Sequence, residues 1–151
     1  MPQEAHYLET LYRDLALALG DAVWAFAKIE WLTYEALGRL SAERLDELVG
    51  DVSFRGRTAI LRRLVERRDT TVEAKERALS AIGAVETLAN ERNVIVHNPW
   101  KVWVDLDQRE FMTEIQKYSN PAKKMNLDQL RAFIDCATVA EFELKEALGA
   151  L

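Results

Sequence analysis

Residues 89–100 read Ala-Asn-Glu-Arg-Asn-Val-Ile-Val-His-Asn-Pro-Trp, and this stretch closes a long helical pattern. It places Arg92 and His97 on the same helix with four residues between them, and Asn93 directly follows the arginine. Pro99 disfavours helical geometry at the residue before it, so the helix is predicted to end at His97 or just after it. The rest of the chain is interpreted as a scaffold that holds this turn of helix.

The chain has 151 residues, enough for one domain with a sizeable core, and we interpret residues 1–151 as a single domain. Six glycines and three prolines are few, which favours long regular elements. No apolar run approaches the ~18 residues of a membrane helix, and no signal peptide is recognisable, so no membrane partner is expected. Cys136 is the only cysteine, which excludes a disulfide framework and favours a reducing, cytoplasmic location.

The spacing of apolar residues predicts an all-α fold, a bundle of four to five helices. The predicted helices of the bundle cover residues 4–19, 22–40, about 53–69, about 72–97 and about 127–149, and a short helix covers about 41–49. A break at Gly20-Asp21 is predicted to separate the first two helices. Ser41, Ser53 and Asn126 are predicted to be N-terminal caps, because each offers a side-chain oxygen just before a helical pattern.

Residues 101–117 change character and predict a two-stranded β-hairpin inserted before the last helix. Val102, Trp103 and Val104 give a composition typical of a strand, and Phe111 and Ile115 belong to a second, alternating segment. A lone hairpin has to pack on helices to be stable, so we expect this one to lie against the bundle.

The second predicted helix is apolar on most sides, which is typical of a central or interface helix. On a helical wheel, Glu30 falls in the middle of a face that it shares with Val23, Phe26 and Ala27. A carboxylate in such a face is costly unless it is paired. Because Arg92 likewise points to the apolar side of its own helix, we predict a Glu30–Arg92 ion pair, which either is structural or positions a catalytic arginine.

Residues 55–68 contain six of the thirteen arginines of the chain. One interpretation is a solvated helix face with acidic partners such as Glu66 and Asp69. The other is a strip that follows the phosphates of a nucleic acid. Its candidate RNA-binding residues are Arg55, Arg57, Arg62, Arg63 and Arg67. The formal net charge of −5 counts against a non-specific nucleic-acid binder but leaves room for a local basic site.

Two histidines and one cysteine, far apart in sequence, predict no metal site, and no phosphate-loop, dinucleotide or serine-hydrolase motif predicts a cofactor. The remaining constellation is Arg92, Asn93, His97 and Glu30. RNA cleavage by the 2′-hydroxyl needs proton transfer, which histidine performs, and a cation on the phosphate, which arginine supplies. Asn93 would hold the imidazole or a phosphate oxygen. One suitable histidine per chain predicts a homodimer that brings both copies of His97 to one cleft.

The Arg-Asn step, the apolar triplet and the histidine at a helix end resemble the signature of the HEPN superfamily. The resemblance implies a bundle of four or five helices, usually dimeric, in which Arg92, Asn93 and His97 cut RNA without a metal ion. It also implies a toxin or an antiviral defence component, with RNA as substrate and a cognate antitoxin or other protein as partner. The alternative is a non-catalytic protein-interaction or nucleotide-binding module in which Arg92 and His97 are structural.

Overall fold

The computed structural model describes residues 2–105, 107 and 110–151, and for residues 2–5 and 110 the backbone alone. Within these residues the chain forms five helices and a small antiparallel sheet of three strands. The helices are α1 (Pro2–Leu40), α2 (Leu45–Leu48), α3 (Phe54–Arg67), α4 (Val72–His97) and α5 (Leu127–Gly149). The strands are β1 (Trp100–Asp105), β2 (Glu110–Gln116) and β3 (Lys124–Met125). The predicted helical bundle with a hairpin before its last helix is confirmed.

The first helix is continuous, so the predicted break at Gly20-Asp21 is wrong. Gly20 and Asp21 both lie on the exposed side of α1, while Ala18 and Ala22 beside them are buried in the core. A glycine inside a helix costs about 1 kcal/mol relative to alanine. Burial of the apolar residues on either side offsets that cost, and α1 therefore runs through the glycine.

The short helix α2 begins later than predicted, and Ser41 does not cap it. The Ser41 hydroxyl accepts a hydrogen bond of 3.1 Å from the backbone N–H of Glu43, which forms a local turn. Such serine turns compete with helix formation. α2 begins only at Leu45, and Arg44 at its N-terminal cap makes no capping bond through its side chain.

The other two predicted caps are confirmed. Ser53 accepts a hydrogen bond of 3.2 Å from the backbone of Gly56 at the start of α3. Asn126 and Gln129 form a reciprocal capping box at the start of α5, with bonds of 2.8 and 2.9 Å. Each cap satisfies backbone donors that the first helical turn leaves without a partner.

Helices α3 and α4 pack antiparallel, as their side-chain contacts demonstrate. The guanidinium of Arg62 bonds the carboxylate of Glu86, and the Lys75 ammonium near the start of α4 bonds the carbonyl oxygen of Glu66 near the end of α3 at 3.2 Å. The ring of Phe54 lies 5.2 Å from that of Phe26 on α1.

Helices α1 and α5 run in the same direction. Lys28 is 2.5 Å from Glu141 in the middle of the pair, and Arg39 near the end of α1 bonds the carbonyl oxygen of Leu148 near the end of α5. Arg68, just after α3, bonds the last residue of the chain, so α3 ends at the same end of the bundle. Helix α4 therefore runs opposite to α1, α3 and α5.

The core lies between these four long helices. Its largest fully buried side chains are Phe26, Phe133, Ile29, Leu37, Leu61, Ile82, Ile95, Ile115, Leu130, Leu144, Val65 and Val85. Several small residues of α1 are also buried, among them Ala22, Ala25 and Ala36, and they let the neighbouring helices approach closely. None of the described helices has a stretch long and apolar enough to cross a membrane.

The sheet follows α4 directly and packs on the bundle. β1 pairs antiparallel with β2, as the predicted hairpin requires, with Trp100 opposite Ile115. Two residues of β3 add a third strand that was not predicted, with Met125 opposite Ile115. At the other end of β2, the ring of Phe111 stacks on Tyr7 of α1 at 5.5 Å.

Candidate functional site

The predicted Glu30–Arg92 pair is confirmed. Arg92 donates a hydrogen bond through Nη2 to Oε1 of Glu30, and the two side chains are 23% and 30% exposed. Its Nη1 donates to Oδ1 of Asn93 at 3.1 Å. The guanidinium also lies over the ring of Phe26, 5.0 Å from the ring centre, an attractive geometry for a cation and an aromatic face. Arg92 is therefore held on three sides.

Glu30 lies at the edge of the buried face of α1, so its predicted position in the middle of that face is wrong. Val23 and Ala27, which were expected to share the buried face, are exposed. The buried face instead contains Ala22 and Phe26, which directly precede Val23 and Ala27 in the sequence. The partial exposure of Glu30 leaves its carboxylate accessible from a cleft.

Arg57 is a second partner of Glu30 that the sequence analysis did not identify. Its side chain is only 7% exposed, with Nη2 at 3.9 Å from the Glu30 carboxylate. It donates hydrogen bonds to the Thr33 hydroxyl at 3.2 Å and to the Val52 carbonyl oxygen at 2.6 Å. Its guanidinium lies 4.1 Å from the centre of the Tyr34 ring. Arg57 thus belongs to the structural support of Glu30.

Sequence spacing contained a signal for this role of Arg57. Arg57 follows Phe54 by three positions and precedes Leu61 by four, which places it on the apolar face of α3. An arginine on such a face needs a carboxylate or an aromatic partner, and α1 supplies both. Arg57 therefore differs from exposed arginines of residues 55–68 such as Arg55 and Arg63.

The five predicted RNA-binding arginines do not form one continuous exposed strip. Arg57 is buried, whereas Arg55 is exposed and faces a cleft between α3 and α4. Arg62 is half-buried and lines the same cleft. Arg63 and Arg67 are exposed and do not line it. Arg55 is therefore the member of the strip that is best placed for a ligand in the cleft.

Arg62 makes a two-point contact with Glu86 across the cleft. Nε and Nη2 donate to the two carboxylate oxygens at 3.3 and 2.7 Å. The hydrogen bond from Arg62 lowers the pKa of Glu86 below its ordinary value of 4.5, and the same bond raises the pKa of Arg62. Glu86 therefore remains ionised at neutral pH and neutralises Arg62.

The cleft has a volume of about 780 Å³ and is bounded by α1, α3 and α4. Four arginines and two glutamates line it, a formal excess of two positive charges in a chain whose net charge is −5. The lining includes Glu30 and Arg92 at one wall and Arg55 at another. Low-dielectric walls strengthen such a local field, which favours an anionic ligand.

His97 is exposed at the C-terminal end of α4. Asn90 and Asn93 line the cleft, and His97 continues their ridge one turn beyond Asn93, just outside the lining residues. No hydrogen bond or ion pair joins the ring to any side chain or backbone group that the structure describes. The imidazole is therefore accessible to a ligand that extends from the cleft.

Asn98, which the sequence analysis did not single out, secures the end of α4. Its Nδ2 donates to the carbonyl oxygen of Val94 at 2.8 Å, and its Oδ1 accepts from the backbone N–H of Tyr118 at 3.2 Å. These bonds join the last helical turn to the loop after β2. His97 is thus not needed to terminate the helix.

Among the described residues no group of three or more histidine, cysteine, aspartate or glutamate side chains is arranged to hold a metal ion. Comparisons of the chain with protein-family models, with curated proteins and with solved structures find no match. Function is therefore inferred from the chemistry of the cleft. That chemistry consists of a fixed arginine, an exposed histidine and a surplus of positive charge.

Proposed function

We propose that this chain is a HEPN-type endoribonuclease that cuts RNA without a metal ion and uses Arg92 and His97 as its catalytic pair. The observation that carries the proposal is the contrast between these two side chains. Arg92 is held at the wall of a positively charged cleft, whereas His97 is exposed beside that cleft. A histidine with a purely structural role would be expected to be buried and hydrogen-bonded.

In the proposed reaction, the 2′-hydroxyl oxygen of a ribose attacks the adjacent phosphorus atom, and the bond from phosphorus to the 5′-oxygen breaks. The products carry a 2′,3′-cyclic phosphate and a 5′-hydroxyl. One proton leaves the 2′-hydroxyl and another is delivered to the departing 5′-oxygen. The His97 imidazole takes up or delivers these protons, because histidine changes its charge near neutral pH.

Arg92 stabilises the charge that develops on the phosphoryl oxygens. Its guanidinium has five donors, and the bonds to Glu30 and Asn93 use only part of them. A cation that is already in place need not reorganise during the reaction, which makes its stabilisation more effective. Glu30 is a positioning residue in this scheme. Asn93 orients the arginine through Oδ1, and its amide nitrogen can donate to a phosphate oxygen.

A homodimer would complete the site. Each chain has only two histidines, and His6 lies near the start of α1, in the part of the helix that approaches the hairpin. Two copies of His97, one from each chain, would act as base and acid in the same cleft. A ribonuclease that needs no cofactor is active as soon as it folds, which suits a toxin or defence component controlled by a cognate antitoxin or partner protein.

A second candidate function is nucleotide binding without cleavage. The volume of the cleft lies within the range of about 300–1,000 Å³ that is usual for small-molecule sites. Arg55 would meet the phosphates, and Arg92 would keep its structural bond to Glu30. This alternative predicts that melting temperature rises with the number of phosphates on an added nucleotide.

Cleavage by purified, EDTA-treated protein distinguishes the two functions. A mixture of structured and single-stranded RNA would be incubated with the wild type and with His97→Ala and Arg92→Ala. Both variants are expected to lose at least about 100-fold in rate, since proton transfer and charge stabilisation each contribute that much. His6→Ala and Arg77→Ala replace exposed residues of the same two types and are expected to cut normally.

Circular dichroism of each variant shows whether the helices are retained, which matters for Arg92→Ala because it leaves Glu30 with one fewer cationic partner. Equal losses in the control variants would point to a general defect, whereas undiminished cutting by all four variants would point to a contaminating nuclease. Wild-type protein that leaves every RNA intact, yet melts at higher temperature with a nucleoside triphosphate, would favour the nucleotide-binding function.

A further inference from the structure

One face of α1 is apolar and uncovered. It consists of Leu17, Gly20, Trp24, Ala27 and Trp31, called the α1 stripe below, and all five residues are exposed. They follow one another at alternate steps of three and four, so they form a single ridge along the helix. The buried face of α1 lies on the opposite side and contacts α3, α4 and α5.

The exposed area of the α1 stripe is comparable to the largest apolar patches of monomeric proteins, which often have a function. Trp24 is 70% exposed, Trp31 65% and Leu17 60%. Two tryptophans exposed to that degree present about 200–330 Å² per chain, from the area that buried aromatic side chains remove from water. Leu17 and the neighbouring exposed Val23 enlarge this patch. It is a substantial part of the roughly 800 Å² per partner that stable interfaces bury.

Gly20 has no evident purpose within the single chain. A Cβ atom added there would meet nothing within 4 Å, and the residue lies inside a continuous helix. Glycine destabilises a helix interior by about 1 kcal/mol relative to alanine. A small residue in the middle of an exposed apolar ridge is useful where a large side chain from outside has to approach the helix.

We propose that the α1 stripe is the homodimer interface and that it packs antiparallel on the α1 stripe of a second copy of this chain. In the register that places residue 24 of one copy opposite residue 27 of the other, each tryptophan meets a small residue. Trp24 lies against Ala27 of the second copy, and Trp31 lies against Gly20 of the second copy. A parallel pair would instead place each tryptophan against itself, with no small residue opposite.

Charges beside the α1 stripe fit the same register. Asp21 and Lys28 lie on the same flank of the stripe, seven residues apart. In the antiparallel pair, Asp21 comes next to Lys28 of the second copy, whose ammonium also lies 2.5 Å from Glu141 of its own chain, and the contact occurs twice by symmetry. Opposite charges at these positions favour this orientation of two helices. The α1 stripe is therefore complementary to the α1 stripe of a second copy of this chain.

This interface also bears on catalysis, and that consequence rests on the proposed function. Helix α4 runs opposite to α1 and meets it where Arg92 bonds Glu30. His97 lies five residues further along, about 7.5 Å nearer to the level of Trp24 and Ala25. The two-fold axis of the proposed dimer passes at the same level. The two His97 residues therefore lie at the same level along the helices as the two-fold axis.

Sedimentation velocity of the full chain over a range of concentrations tests the interface. The wild type is expected at 34.6 kDa, twice the 17.3 kDa of one chain. Trp24→Lys, Trp31→Lys and Gly20→Leu are each expected to raise the dissociation constant at least about 30-fold, the usual effect of losing a central interface residue. Phe142→Lys and Leu48→Lys replace exposed apolar residues elsewhere and should dimerise normally.

A charge exchange tests the antiparallel register. Asp21→Lys alone is expected to weaken the dimer. Addition of Lys28→Asp, made together with Glu141→Lys so that the ion pair within the chain is kept, is expected to restore it in part. A wild type that stays at 17.3 kDa at every concentration, or a dimer that the three stripe variants leave intact, overturns the interface. A stripe-dependent dimer that never cuts RNA keeps the interface and removes the proposed function. RNA cleavage by a chain that stays monomeric keeps the proposed function and removes the interface.

Discussion

Arg92 illustrates how one residue can serve structure and chemistry together. Its guanidinium pairs with the half-buried carboxylate of Glu30 and packs on the Phe26 ring, so these contacts hold the arginine side chain in place. Arg92 also lines the cleft. Removal of Arg92 is therefore expected to affect stability and, in the proposed reaction, phosphate binding, and the two effects have to be measured separately.

Asn98 and His97 give a direct comparison between a structural residue and an exposed one. Asn98→Ala removes two hydrogen bonds at the end of α4 and is expected to lower the free energy of unfolding by about 1–2 kcal/mol. His97→Ala removes an exposed side chain and is expected to change it by less than about 0.5 kcal/mol. Urea unfolding followed by circular dichroism measures both.

A loss of stability in His97→Ala as large as that in Asn98→Ala would assign His97 a structural role. The catalytic role would then lose its main support, because the exposure of the ring would no longer indicate that it is free for a ligand. A His97→Ala variant that keeps its stability but no longer cuts RNA would support the catalytic role of His97 over a structural one.

At the residue scale, the sequence was sufficient to predict the Glu30–Arg92 pair, because two opposite charges on apolar helix faces have to find partners. The sequence was not sufficient to predict that Arg57 is a second partner of Glu30. The identity of the partner depends on how α1 and α3 are rotated about their axes, and a single-helix wheel carries no information on that rotation. The catalytic proposal requires His97 to be accessible near Arg92 and near its copy in a dimer, and the structure shows that the side chain is exposed.

At the element scale, α1 differs most from prediction. Gly20-Asp21 resembles a helix end, and local propensity alone favours a break there. Tertiary packing reverses the outcome, since Leu15, Ala18, Ala22 and Phe26 all bury their side chains on the same side of one continuous helix. A break would expose part of that continuous apolar face, and this exposure costs more free energy than one glycine inside a helix.

Replacement of Gly20 by alanine tests whether α1 is continuous. In a continuous helix with open space at this position, Gly20→Ala is expected to raise the free energy of unfolding by about 0.5–1 kcal/mol. Denaturant unfolding in the Trp24→Lys chain measures it without a contribution from the proposed dimer. Ala16→Gly, at another exposed position of α1, should lower stability by a similar amount. Destabilisation by Gly20→Ala would instead indicate a turn that needs the glycine.

The hairpin and the caps of α3 and α5 were predictable because they depend on residues close in sequence. Capping needs one side-chain oxygen near the first turn, and a hairpin needs alternating residues on either side of a turn. β3 has only two residues and no alternating pattern. It exists because β2 offers an edge to the loop before α5, and only the three-dimensional arrangement reveals this.

At the scale of the whole molecule, charge is distributed unevenly. The net charge of −5 counts against general nucleic-acid binding, yet the cleft carries a formal excess of two positive charges. A net negative charge repels polyanions over long range, so in the proposed function recognition of RNA depends on this local site. Composition alone could not reveal the site, because it depends on arginines from α3 and α4 that are distant in sequence.

The measurement that tests metal-independent cleavage most directly is the effect of a single 2′-deoxy substitution at a mapped cut site in RNA. In EDTA, wild-type protein is expected to cut the unmodified RNA to 2′,3′-cyclic phosphate and 5′-hydroxyl ends. It is expected to leave the substituted position intact while cutting elsewhere in the same molecule. Cleavage at the 2′-deoxy position would contradict attack by the 2′-hydroxyl and the assignment of Arg92 and His97 to that reaction.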